Sequence, residues 1–202
     1  MRALLIVDIQ NDFCPGGKLA VQEGDQVVPL INAITEQFDI IIATQDWHPA
    51  GHSSFASTHP GKKPYDTITL EYGTQVLWPD HCMQGTRGGE FHPELKTDPI
   101  QLIVRKGFRK NIDSYSAFYE NDQKTVTGLK GYLKNRNVDT LYICGLATDF
   151  CVKWSALDGI KEGFQVSVIE DASRGIDLNG SLNEAWKEMQ AAGVKRIQSD
   201  QV

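Results

Sequence analysis

Apolar and polar positions follow two rhythms along this chain, and the switches between them predict most of its elements. Strand-like apolar runs lie at residues 2–8 (Leu4-Leu5-Ile6-Val7), 39–44 (Ile40-Ile41-Ile42-Ala43), 100–105 (Leu102-Ile103-Val104), 140–145 (Leu141-Tyr142-Ile143-Cys144) and 165–170, with a short last one near 195–198. Between them apolar residues recur at helical spacing: Val27, Leu30, Ile31 and Ile34 within 26–37, then stretches at about 124–136, 150–163 and 180–192. In the last of these, Leu182, Ala185, Trp186 and Met189 share one face. Unbroken runs such as Ile40-Ile41-Ile42 suit strands covered on both sides, as in parallel sheets. Strands alternating with helices predict an α/β fold, a doubly wound three-layer α/β/α sandwich around a mostly parallel central sheet.

Residues 45–99 break both rhythms. They carry Pro49, Pro60, Pro64, Pro79, Pro93 and all five histidines of the chain without a sustained period. A loop of that length with no structure is rare in a compact domain, so short elements or a bound metal should hold it. No repeat, low-complexity tract or linker divides the sequence. The expectation is a single domain over residues 1–202, with a metal-binding insertion at about 45–99. A chain of 202 residues buries roughly 70% of the surface its unfolded form exposes, enough for a substantial core.

Charge and cysteine usage narrow the function classes. The formal net charge is -6 and the basic residues are scattered, which argues against a nucleic-acid partner. No apolar run approaches the ~20 residues needed to span a bilayer, and the N-terminus enters a strand pattern without a signal-peptide layout. A cytoplasmic protein with no membrane partner is expected. The four cysteines, Cys14, Cys82, Cys144 and Cys151, lack disulfide-framework spacing and read as thiols or ligands.

The strand runs end at residues that can do chemistry. Asp8 follows the first, Asp46 and His48 the second, Lys106 the third, and Cys151 follows the turn Gly145-Leu146-Ala147-Thr148-Asp149 after the fourth. In an open parallel sheet these ends share one edge, and ligands bind in the crevice there. Asp46, His48, His52 and His81 suit a divalent transition metal, with zinc ahead of iron or manganese, because imidazoles with one carboxylate and open positions mark a working site. His59 and His92, each beside a proline in a polar loop, are expected at the surface. Cys144 inside its apolar run reads as inert core, while Cys14 and Cys82 sit where they could line a site without reacting.

Cys151 opens an amphipathic helix, where the dipole and free backbone N–H groups favour a sulfur anion. A thiol of pKa about 8.5 is only ~3% ionised at pH 7, and bringing it to about 6.5 takes about 2.7 kcal/mol. A helix terminus supplies ~0.3–1 kcal/mol. Lys106, if close, supplies most of the remainder, whereas an ionised Asp8 opposes the thiolate and favours taking the proton itself. Cys151 is therefore the expected nucleophile, Asp8 the general base and Lys106 the electrostatic partner.

Five blocks in order now carry a resemblance: Val7-Asp8-Ile9-Gln10-Asn11-Asp12-Phe13, Gln45-Asp46-Trp47-His48-Pro49-Ala50-Gly51-His52, Trp78-Pro79-Asp80-His81-Cys82, Lys106-Gly107 and Gly145-Leu146-Ala147-Thr148-Asp149-Phe150-Cys151. With Tyr115-Ser116-Ala117-Phe118 they span nearly the whole chain, which resembles the nicotinamidase/pyrazinamidase branch of the isochorismatase-like cysteine hydrolases. The resemblance implies an Asp8, Lys106, Cys151 triad and a metal on Asp46, His48, His52 and His81. It also implies a cis peptide between Leu146 and Ala147 that aims the Ala147 N–H, with that of Cys151, at an oxyanion, and a slot of Phe13, Leu19, Trp78 and Tyr115 for a flat pyridine ring. The implied reaction is hydrolysis of nicotinamide, or pyrazinamide, to the acid and ammonia through a thioester, in NAD salvage. Its implied metal role is to hold the ring nitrogen so that the carboxamide faces Cys151.

Three other readings are separable by residue type. An amidase for aliphatic or ureido compounds has no use for the His48, His52, His81 cluster. An isochorismatase-type hydrolase lacks the elbow cysteine, and a redox or metal sensor would carry a Cys-x-x-Cys pair that is absent.

Overall fold

The computed structural model describes residues 1–202. Six strands, β1 (Arg2–Val7), β2 (Ile40–Asp46), β5 (Leu102–Lys106), β6 (Thr140–Leu146), β7 (Gln165–Arg174) and β8 (Lys195–Ile197), form one sheet in the order β5-β2-β1-β6-β7-β8. Every pairing in it is parallel. The order runs outward in one direction from β1 through β2 to β5, and in the other from β6 to β8, so the winding reverses between β1 and β6. That is the position at which open α/β sheets bind ligands beyond the carboxyl ends of their strands.

Alternate residues of β1 enter two separate cores. Ala3, Leu5 and Val7 pack with Leu129 and Leu133 of α2 (Leu129–Asn135), Ala156 of α3 (Lys153–Lys161), and Ala185 and Met189 of α4 (Ser181–Ala191). Leu4 and Ile6 pack on the other face with Val27, Val28, Ile31 and Ile34 of α1 (Val27–Ile34). The period-2 side-chain alternation of a strand thus builds the three expected layers. No helix is long and apolar enough to cross a membrane.

Differences from the sequence expectations have local causes. The second helix begins at Leu129 instead of near 124, because the Asp122 carboxylate accepts the Lys124 and Thr125 N–H groups at 2.9 Å each and Gly128 takes φ 97°. Strand β7 continues to Arg174, past a register shift against β6 between Ile143 and Gly145. Residues 45–99 do contain short elements: an antiparallel hairpin of β3 (Thr67–Leu70) and β4 (Gly73–Val76), with 3-10 turns at Ala56–Thr58 and Arg87–Gly89. Single bridges His48–Met83 and Phe55–Trp78 fold the segment over the carboxyl edge of the sheet.

Candidate active site

Four adjacent strands deliver the chemistry. Asp46 and Lys106 are the last residues of β2 and β5, and the parallel register sets them directly opposite one another. Asp8 follows β1 with φ 48°, a left-handed conformation uncommon for a non-glycine residue. Beyond β6 the Leu146–Ala147 peptide is cis, and residues Thr148–Val152 form a single π turn carrying Cys151 into α3. Gly145 is required here: at φ 116° it lies so close to β1 that a Cβ would sit 2.2 Å from the Val7 carbonyl oxygen.

The Lys106 ammonium is the hub. Its Nζ lies 2.7 Å from Asp8 Oδ2, 2.6 Å from Asp46 Oδ1, 3.1 Å from the Ser114 carbonyl and 3.3 Å from Cys151 Sγ. All four side chains are buried. Burial opposes the charge on Lys106, but Asp46 and Asp8 outweigh it and hold the ammonium well above its ordinary pKa. Burial likewise opposes ionisation of Asp46, and there Lys106 and His48 prevail and keep it a carboxylate. At Asp8 burial wins over Lys106 and raises the carboxyl, which makes it a stronger base than a surface aspartate. Thr44 Oγ1 donates to Asp8 Oδ1 at 2.6 Å and accepts the Asp8 N–H at 3.1 Å.

Burial also pushes the Cys151 thiol well above its usual value, with Asp8 and Asp46 acting in the same direction against Lys106. The resting sulfur is therefore protonated. A helix terminus and one nearby ammonium do not outweigh burial and two carboxylates in this setting. A raised Asp8 carboxyl beside the thiol suits a group that accepts its proton.

Beside the hub lies a donor set for a metal. Asp46, His48 and His81 present ligand atoms within 4.8 Å of one another, all buried. His48 Nδ1 bonds the Gly107 carbonyl at 2.9 Å and His81 Nδ1 the Pro79 carbonyl at 2.8 Å, so each ring turns Nε2 inward, 3.3 Å and 3.5 Å from Asp46 Oδ2. Backbone carbonyls that fix the outer nitrogen are the usual support for a ligating histidine. His48 Nε2 is buried without a hydrogen-bond partner, which fits a cation at that point. Gly107 is held to glycine by the same ring, since a Cβ there would meet His48 Cε1 at 2.4 Å.

Of the four residues expected as ligands, Asp46, His48 and His81 form this triplet. His52 does not join this triplet: its Nδ1 bonds Ser54 Oγ at 2.7 Å, and its Nε2 points at the carbonyls of Arg109 (3.0 Å) and Ile112 (3.3 Å). It stacks at 4.4 Å on His48 and forms a second group with His48 and Asp113. His59 and His92 stand outside both groups and are half-buried instead of exposed, with His59 Nε2 bonding the Ser53 carbonyl. Cys144 is core, as expected. Cys14 and Cys82 are buried and outside the pocket that Cys151 lines.

That pocket is small and is lined by Phe13, Leu19, Trp78, Tyr115, Ala147 and Cys151 together with Asp46 and His81. Its aromatic wall is interlocked: Trp78 meets Phe150 edge to face at 4.9 Å, and Trp78 Nε1 donates to Tyr115 Oη at 3.2 Å. The four residues expected at the ring slot line it with Cys151, and Asp8 and Lys106 stand behind the sulfur at the hub. A nucleophile, a base and a carboxylate–histidine cluster around one small apolar pocket suit hydrolysis of a small planar amide or ester.

The isochorismatase domain family matches residues 2–201. This chain belongs to that family. Among its relatives in the isochorismatase family, the nicotinamidase of Acinetobacter baylyi is 60% identical over 197 residues, covering 98% of this chain and 92% of that protein. A solved structure of an Acinetobacter baumannii nicotinamidase/pyrazinamidase superposes with a TM-score of 0.98 at 59% identity, over 99% of this chain and 97% of that one. The structure of a Pyrococcus horikoshii pyrazinamidase in complex with zinc superposes with a TM-score of 0.78 at 36% identity, over 98% of each chain.

Several residues of this isochorismatase-family site escaped the sequence reading. Asp113, Phe150 and Ile176 line the pocket. Gln10 clamps the metal-side aspartate, accepting the Asp46 N–H and donating to the Asp46 carbonyl, each at 2.8 Å. Gln10 and Phe150 lie inside the motif blocks. Asp113 and Ile176 sit in irregular segments whose pattern carries no signal.

Proposed function

We propose that this chain is a nicotinamidase, also active on pyrazinamide, hydrolysing nicotinamide to nicotinate and ammonia through a Cys151 thioester in NAD salvage. We read it as a cytoplasmic enzyme of one domain with a metal-holding insertion at about 45–99. The observation that carries this reading is the Lys106 ammonium in simultaneous contact with Asp8, Asp46 and Cys151. One buried cation there couples a cysteine–aspartate pair to a donor set built for a metal.

Asp8 accepts the Cys151 proton as the sulfur attacks the carboxamide carbon. Lys106 compensates the negative charge that passes through the buried cluster. The N–H groups of Ala147 and Cys151 face the developing oxyanion. Asp8 then protonates the departing ammonia, the thioester remains, and Asp8 next deprotonates the water that hydrolyses it. Phe13, Leu19, Trp78 and Tyr115 hold the ring and keep bulk water out. Asp46, His48 and His81 would hold a divalent ion, zinc by the nature of the donors, with His52 stacked behind His48. Such an ion, when bound, offers an open coordination position to a pyridine-type nitrogen.

Ammonia release from nicotinamide by purified protein, compared with Cys151→Ala and with benzamide as substrate, tests the reading. Turnover of nicotinamide that depends on Cys151 and exceeds that of benzamide is expected. Equal turnover of the two amides, or none of nicotinamide, overturns it.

A further inference from the structure

The β3–β4 hairpin is exposed or half-buried at every position except one. Gln75 is 1% exposed and projects toward the back of the pocket wall. Its Nε2 lies 2.9 Å from Tyr115 Oη, 3.1 Å from Asp113 Oδ2 and 2.7 Å from the Val76 carbonyl. Its Oε1 accepts from Tyr72 Oη at 3.0 Å and Asn121 Nδ2 at 3.2 Å. Donors on one side and acceptors on the other leave a single orientation for the amide. Two pocket-lining side chains thus meet one glutamine that does not itself line the pocket, and a third, Trp78, is joined to it through Tyr115 Oη, which accepts from Trp78 Nε1.

We infer that Gln75 is a positioning residue for the ring end of the substrate pocket, acting through Tyr115 and Asp113 and touching neither the triad nor the reacting carboxamide. This rests on the nicotinamidase reading above. Asp113 is a buried carboxylate with no lysine or arginine beside it. Its oxygens accept hydrogen bonds from neutral donors only, the Ser114 N–H at 2.8 Å and the Gln75 amide, with His48 Nε2 farther off at 3.9 Å from Oδ1. Removing the amide leaves a buried acceptor unpaired, and the wall relaxes until water or another donor reaches it. The hairpin is thereby tied to ring placement, while Lys106, Asp8 and Cys151 keep every contact they have.

The test compares wild type with Gln75→Met, Gln75→Glu, Tyr115→Phe, the Gln75→Met/Tyr115→Phe double variant and Thr69→Ala on the exposed hairpin face. Methionine fills the same volume without the hydrogen bonds, and glutamate sets a second carboxylate against Asp113. The expected result for Gln75→Met is a rise of about tenfold in KM for nicotinamide, the scale of one net hydrogen bond, with kcat within about threefold. Alkylation of Cys151 by iodoacetamide proceeds at the wild-type rate. Gln75→Glu is worse, Thr69→Ala is unchanged, and the double variant costs less than the product of the single effects. A wild-type KM in Gln75→Met, or loss of kcat, alkylation rate and melting temperature together, overturns the inference. Failure of wild type itself to release ammonia from nicotinamide would instead overturn the function on which it rests.

Discussion

Lys106 Nζ donates to Asp46 Oδ1 at 2.6 Å, a contact as short as any it makes, so the proton-transfer cluster and the metal-side cluster share one buried cation. Lys106→Met leaves two facing carboxylates in the interior without compensation. Breaking a buried pair by removing one partner costs about 3–5 kcal/mol. The expected outcome is a lower denaturant midpoint of that size and a fall in kcat/KM of roughly 10²-fold or more. A variant of wild-type stability would show that the pairing is not what holds these strand ends together.

Cys151→Ala removes the sulfur and leaves the aromatic wall and the Asp46, His48, His81 set intact. Turnover is expected to disappear while nicotinamide still binds by calorimetric titration. Residual ammonia release within about tenfold of wild type would rule out covalent catalysis at this position.

Thr44→Val tests the base. Thr44 donates to the Asp8 carboxylate and favours its charged form, in opposition to burial. Without that donor the Asp8 carboxyl rises further. Asp8 acts deprotonated, so activity is lost as pH falls through its pKa, and a higher pKa moves the acid limb of the kcat/KM profile to higher pH. An acid limb that stays in place or moves down would put the base elsewhere.

Gly107→Ala tests the metal side without touching a ligand. The added methyl meets the His48 ring at 2.4 Å, and the backbone there has φ 65°. His48 must turn away, and displacing the support of a ligating histidine typically costs 10–100-fold in metal affinity. Elemental analysis after dialysis against a graded chelator series should show the variant emptying first. Retention equal to wild type would remove His48 from the ligand set.

Chelated wild type is expected to lose nicotinamide turnover and its preference for nicotinamide over benzamide, while iodoacetamide still alkylates Cys151. Full activity in protein shown to contain no metal would refute a positioning role for the ion.

Much of this was legible in the chain before it folded. Strand-length apolar runs, each closed by a reactive residue, are local patterns, and backbone physics turns them into parallel strands with a shared chemical edge. Asp8, Asp46, Lys106 and Cys151 were readable because each lies at or just beyond such a run. The order of the motif blocks made the family readable for the same reason. What the sequence could not carry is set by contacts across long separations. The Asp46–Lys106 contact follows from the β2–β5 register between residues 60 positions apart. Residues 45–99 have no periodicity, so nothing local says that His81 turns toward Asp46 while His52 is drawn to the Arg109 and Ile112 carbonyls. The protonated state of Cys151 is likewise a tertiary property: its position at a helical turn favours the anion, and only the packed interior, with two carboxylates beside it, decides the balance the other way.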